Sequence, residues 1–163
     1  MEEQGRDILR GLVDSYIRPG DSVLEVGAGG GELLIELAEK YGGDMWGIDP
    51  HIPRRDHALV TFADIPAEEV ETIGMSFDLV YSGYSLHHFH DFRLFLSHLG
   101  EVLTPEGRFI FVDWRRGVET GIPETYFSLR QVVEMVEGYN YPIVEHGETA
   151  EHLYVVGKAP LRA

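Results

Sequence analysis

Residues 23–31 read Val-Leu-Glu-Val-Gly-Ala-Gly-Gly-Gly, a short apolar run that breaks into glycines. A helical pattern follows at once. Glycine tolerates positive φ and lets a ligand come close to the backbone where a Cβ would clash. The opening turn of a helix adds unpaired N–H groups. This combination predicts a strand, a tight turn and a helix, with a nucleotide-like cofactor at the carboxyl end of a parallel strand.

The glycine spacing narrows the cofactor. A dinucleotide fingerprint needs G-x-G-x-x-G or G-x-G-x-x-A. Counting from Gly27 puts Glu32 at the sixth position, and counting from Gly29 puts Leu34 there. The run fits acidic-x-G-x-G-x-G instead, through Glu25, Gly27, Gly29 and Gly31. It resembles the first motif of the class I methyltransferases that use S-adenosylmethionine. That resemblance implies that Glu25 holds the methionine end of the cofactor and that Gly27, Ala28, Gly29 and Gly31 cradle it. A cationic sulfonium ligand has no pyrophosphate, so a carboxylate beside the loop suits it.

The rest of the chain alternates strands and helices. Ile8, Leu9, Leu12, Val13, Tyr16 and Ile17 share one helical face, and Pro19-Gly20 ends that helix. Strands are expected at about 22–26, 45–48, 58–62, 77–81 and 108–113. Helices are expected at about 31–41, 66–72, 91–103 and 129–137, with a turn at Thr104-Pro105-Glu106-Gly107. Asp91 is an expected N-cap, and Ser128 with Gln131 spells a capping box. Two further strands, at about 142–147 and 151–158, finish the chain as a hairpin. This alternation predicts an α/β fold with a doubly wound, mostly parallel sheet. The family resemblance supplies the rest: a seven-stranded Rossmann-like sheet in the order 3-2-1-4-5-7-6, its last strand antiparallel. It covers nearly the whole chain from about residue 15. Residues 1–163 are read as one cofactor-binding domain, with residues 1–20 as its N-terminal helix.

One stretch departs from the family. Only about nine residues separate strands 2 and 3, and they include Pro50 and Pro53. A parallel crossover normally takes a dozen or more residues and a helix, and prolines discourage a helix interior. The second crossover helix is therefore expected to be lost or shortened. One sheet face near strands 2 and 3 is left thinly covered, open to a second copy of the chain or to a partner protein.

Other site residues follow the strand ends. Asp49, 22 residues after Gly27, is placed to accept hydrogen bonds from ribose hydroxyls, with Pro50 beside it. The resemblance assigns Asp64 and Ile65 to the adenine, Ser82 and Gly83 to the methionine or sulfur, and Tyr16 to the cofactor carboxylate. His87 and His88 are candidates for a general base, since histidine titrates near neutral pH. His87, His88, His90 and Asp91 fall within five residues. Ligands so close on one loop rarely converge without partners elsewhere, so no metal is expected.

Composition closes off other classes. The 163 residues carry a formal net charge of −15, which repels phosphate backbones and argues against nucleic acid. No long apolar run suggests a membrane span, and the N-terminus lacks a secretion pattern. Without cysteine there are neither disulfides nor thiolate chemistry, so a cytoplasmic protein is expected. The expected reaction is in-line transfer of the methyl of S-adenosylmethionine to a small acceptor, leaving S-adenosylhomocysteine. The alternative is a non-catalytic or partner-dependent subunit that binds the same cofactor.

Overall fold

The structure is a computed structural model that describes residues 3–52, 55–121 and 124–161. Seven strands form one sheet: β1 (Val23–Val26), β2 (Met45–Ile48), β3 (Val60–Ala63), β4 (Phe77–Gly83), β5 (Leu103–Trp114), β6 (Ile143–Glu148) and β7 (His152–Lys158). Their order is β3-β2-β1-β4-β5-β7-β6. The strands from β3 to β5 are parallel to one another, and β7 runs antiparallel to both β5 and β6. The expected sheet, including its terminal hairpin, is what the chain forms.

Among the described residues, four α-helices cover the sheet: α1 (Glu3–Tyr16), α2 (Glu32–Tyr41), α3 (Phe92–Leu99) and α4 (Leu129–Gly138). Leu9 and Val13 of α1 and Leu34 and Leu37 of α2 pack with Val23, Met45, Leu79, Tyr81, Ile110 and Val112 on one face. Phe95, Leu96 and Leu99 of α3 and Val132 and Val136 of α4 pack with Leu24, Val26, Val80, Phe109 and Phe111 on the other. Alternate residues of β4 and β5 thus feed opposite cores, as the two-residue strand period requires. Burial on both faces explains why these strands read as continuous apolar runs.

Caps settle where the helices begin. The Asp91 carboxylate accepts the Leu94 N–H at 3.0 Å. Ser128 Oγ accepts the Gln131 N–H at 3.1 Å, and the Gln131 side chain accepts the Ser128 N–H at 2.9 Å. The helix expected over 91–103 stops earlier, at Leu99. A tighter 3₁₀ turn, Gly100–Val102, follows it, and Leu103 already belongs to β5. The expected turn at 104–107 is absorbed into β5. Phe77 pairs with Leu103 but Leu79 pairs with Arg108, so the extra residues of β5 bulge outward. Pro105 is tolerated there because a bulged residue owes the ladder no N–H.

Among the described residues, no helix joins β2 to β3. The described part of that connection lies across the glycine-rich turn, where Arg55 donates to the Gly30 carbonyl and stacks its guanidinium 4.0 Å from the Phe62 ring. On the side away from α2, Trp46 is only half-buried and Thr61 is exposed. A right-handed crossover helix would lie on the α2 side, where Val60 and Phe62 are nonetheless buried, so the thin covering expected from the short crossover is not seen among the described residues on that face.

Candidate functional site

The β1–α2 turn bends through three positive-φ glycines, Gly27, Gly29 and Gly31. At Gly27 the need is also spatial, since a Cβ there would stand 2.3 Å from Ser85 Oγ. The turn is held down by Gly27 and Ala28 N–H groups donating to the Ile48 carbonyl at 2.8 and 3.0 Å. Gly31 caps α2 without a side-chain bond. A cavity of about 270 Å³ opens over this turn, lined by residues 27–31, Glu25, Gly83, and Arg6 and Arg10 of α1.

Glu25 is the unusual group in that cavity. Its neighbours along β1, Leu24 and Val26, face the α3/α4 core, so the strand period sends its carboxyl to the α1/α2 side. It is buried, and Oε1 has no hydrogen-bond partner. Burial pushes its pKa from 4.5 up to about 8; the adjacent Tyr81 hydroxyl opposes the shift and the charge of Asp49 adds to it. A buried carboxyl with one oxygen left unpartnered, beside an open cradle of backbone, suits a cationic group.

Asp49 ends β2 where its sequence position placed it. Its carboxylate accepts the Gly29 N–H at 3.0 Å and the His51 N–H at 2.9 Å. With Pro50, it lines a second cavity of about 170 Å³ that shares Gly27 with the first and also includes Ser85, His88 and Phe89. The other expected contacts lie outside these two cavities. Asp64 is exposed just past β3, and Ile65 is half-buried against the α3/α4 core. Ser82 is fully buried on the same side. Tyr16 donates its hydroxyl to Glu145 on β6 and packs under Arg108, and it does not line the cavity over the glycine turn. Arg6 and Arg10 of the same helix stand there instead, with Arg10 paired to Glu36. Their spacing of four residues on one helix face was a usable signal.

A polar cluster stands beside the second cavity. His87 and His88 close the short 3₁₀ turn Leu86–His88 after β4. Asp113, near the end of β5 and 1% exposed, holds the His87 ring through Nδ1 at 2.9 Å and accepts the His87 N–H at 3.2 Å. Glu124, in the connection between β5 and α4, comes to 3.0 Å from His87 Nε2 and 3.6 Å from His88 Nε2. Tyr126 donates to the same Glu124 carboxylate at 3.2 Å and sits edge-on to His87. Burial works against charge on His87, but the bonds and charges of Asp113 and Glu124 outweigh it and raise its pKa. Two carboxylates therefore bracket one imidazole. Glu124 was not singled out in the sequence, because it comes from an irregular segment without periodicity.

A family model described as a methyltransferase domain matches residues 1–153. The chain belongs to this methyltransferase family. Among its relatives, the ubiquinone biosynthesis O-methyltransferase of Azorhizobium caulinodans is 34% identical over 115 residues, covering 64% of this chain and 45% of the relative. The chain thus spans under half the length of that enzyme. Solved structures share the methyltransferase fold at low identity. The 1,6-didemethyltoxoflavin-N1-methyltransferase of Burkholderia thailandensis, solved with 1,6-didemethyltoxoflavin and S-adenosylhomocysteine, superposes with a TM-score of 0.75 at 20% identity, over 98% of this chain and 78% of that one. The methyltransferase bound to the Trm112 methyltransferase activator in a Haloferax volcanii complex gives 0.73 at 16% identity, over 96% and 95% of the two chains.

Proposed function

We propose that this chain binds S-adenosylmethionine as one unit and transfers its methyl group to a small-molecule acceptor. The observation that carries the reading is Glu25, a buried carboxyl with Oε1 unpartnered at the floor of a glycine-lined cavity. When bound there, the cofactor supplies a methyl already activated on a sulfonium. Glu25 and Gly83 face its methionine end, residues 27–31 offer backbone, and Arg6 is a cation for its carboxylate. Asp49 and Pro50 receive the ribose, and Asp64 and Ile65 the adenine beyond β3. Ser82 supports Gly83 from within the core.

The acceptor approaches from the side of His87 and His88. His88 lines the cavity that shares Gly27 with the cofactor cradle. The bracket of Asp113, His87 and Glu124 is a polar end for the acceptor and a place for its proton. Alignment of two reactants in this way can contribute roughly 7–11 kcal/mol to such a reaction. The ubiquinone biosynthesis O-methyltransferase and the 1,6-didemethyltoxoflavin-N1-methyltransferase, solved with 1,6-didemethyltoxoflavin, support a small acceptor here.

Calorimetric titration with S-adenosylmethionine, S-adenosylhomocysteine and NAD tests the reading. Micromolar binding of the two sulfur ligands and none of NAD is expected. Binding of NAD alone overturns it.

The face of β2 and β3 turned away from α2 fits a second copy of this chain or a partner protein. Half-buried Trp46, exposed Thr61 and exposed Leu59 support this, as does the activator complex of the Haloferax volcanii relative. Light scattering across micromolar concentrations checks self-association; a strict monomer leaves only the partner.

A further inference from the structure

The His87–His88–Glu124 cluster has the form of an unfilled cation site. Its three side chains each offer one ligand atom, and these atoms lie within 4.8 Å of one another. Two separations are known closely: 3.0 Å from His87 Nε2 to Glu124 Oε2, and 3.6 Å from His88 Nε2 to Glu124 Oε1. Ligands about 2.1 Å from a tetrahedral ion stand roughly 3.4 Å apart, so these edges already have coordination size. The third, between the two imidazoles, is at most 4.8 Å.

Asp113 makes this arrangement more than a chance cluster. Its carboxylate sits 2.9 Å from His87 Nδ1, and Trp114 and His87 N–H groups hold it from the backbone. A carboxylate on Nδ1 keeps a proton there and leaves Nε2 as the nitrogen on which an ion can take the place of a proton, the relay that commonly stands behind a metal-bound histidine. Nε2 of His87 then points at Glu124, and the His87 side chain is nearly all buried. His88 is more than half exposed and faces the acceptor cavity, so the cluster has a closed inner side and an open outer one. The sequence argument against a metal was that ligands on one loop lack distant partners. The fold supplies that partner, since Glu124 arrives from 36 residues beyond His88.

We propose that His87 Nε2, His88 Nε2 and the Glu124 carboxylate bind a divalent first-row transition ion. Two imidazoles and one carboxylate, with no thiolate, suit zinc, cobalt, manganese or ferrous iron over calcium or magnesium. Three protein ligands leave at least one position open, and it faces the cavity lined by His88 and Gly27. That position takes an oxygen donor. Resting on the methyltransferase reading, the site makes the preferred acceptor a hydroxylated compound whose oxygen the ion orients and acidifies.

The test uses tag-free, chelator-stripped protein. Equilibrium dialysis against Zn²⁺ and absorption titration with Co²⁺ are read side by side. One ion per chain is expected, with visible Co²⁺ bands of a nitrogen- and oxygen-ligated site. Glu124→Gln and His88→Ala, both at exposed or half-exposed positions, are expected to weaken binding at least tenfold. Asp113→Asn is expected to weaken it about tenfold through His87. His90→Ala, outside the cluster, should leave it unchanged. Circular dichroism confirms folding of each variant. Absence of saturable binding of both ions overturns the proposal, as does binding that survives Glu124→Gln and His88→Ala together. S-adenosylmethionine titration of the same proteins separates the outcomes. Cofactor binding without metal binding refutes the ion site alone, and metal binding without cofactor binding refutes the methyltransferase reading alone.

Discussion

Glu25→Gln separates a carboxyl that is held neutral from one that is ionised. In the unfolded chain Glu25 titrates near 4.5; in the folded chain burial raises this to about 8. Below pH 4.5 the group is protonated in both states and costs nothing. Between 4.5 and about 8 the unfolded chain releases the proton and the folded chain keeps it. Folding stability from this group therefore falls as pH rises, by about 1.4 kcal/mol per pH unit. At pH 7 the loss is roughly 3 kcal/mol, and it levels off above about 8. Glutamine keeps the shape and removes the titration. Urea unfolding at pH 5, 7 and 8.5 should show the variant gaining on the parent as pH rises. A cation from the ligand favours ionised Glu25, so binding at pH 7 should release a proton. Calorimetry in phosphate and Tris reads this, and the difference between parent and variant cancels the ligand's own titration. A stability gap that is constant with pH, with equal proton release in both proteins, would refute a carboxyl held neutral by burial.

Gly27→Ala places a Cβ 2.3 Å from Ser85 Oγ at a φ of 78°; a loss of about 1–3 kcal/mol in urea and loss of cofactor affinity in calorimetry are expected. Ser128→Ala removes a complete capping box and should cost about 1 kcal/mol by the same denaturation assay, with cofactor affinity unchanged. Gly5→Ala puts a Cβ 1.5 Å from the Tyr84 hydroxyl, so either Tyr84 or α1 must move, and a change in near-ultraviolet circular dichroism reports it.

Legibility in the sequence followed the range of the forces involved. The β1–α2 turn, the Asp91 cap and the Ser128–Gln131 box are built from neighbours a few residues apart, and the sequence showed each of them. The missing β2–β3 helix was readable because a crossover has a minimum length. The end of α3 was not, because apolar spacing continues through Val102 and Leu103 while the chain has already tightened and turned into β5. The strand pairing of Leu103 and Arg108 on either side of the bulge likewise depends on β4, a distant segment. The polar cluster shows the same limit. His87 and His88 stand out on the page, whereas Glu124 and the bond from Asp113 exist only after β5 has been laid beside β4. Tyr16 was ambiguous by periodicity, and the turn of α1 gave the cradle to Arg6 and Arg10 instead.

Helix α1 borders the cofactor cavity through Arg6, Leu9 and Arg10, and it invites description as a lid. The burial of Leu9 and Val13, 1% and 0% exposed, argues otherwise. Lifting the helix would return both side chains to water at roughly 3–6 kcal/mol together. Such an excursion is populated on the order of one part in a hundred to one in ten thousand. Traffic of small molecules is thereby steered to the opposite rim, between the residues after β2 and the turn after β4. On the proposed function, cofactor and acceptor then share a doorway, and the order in which they pass it becomes a property of the fold.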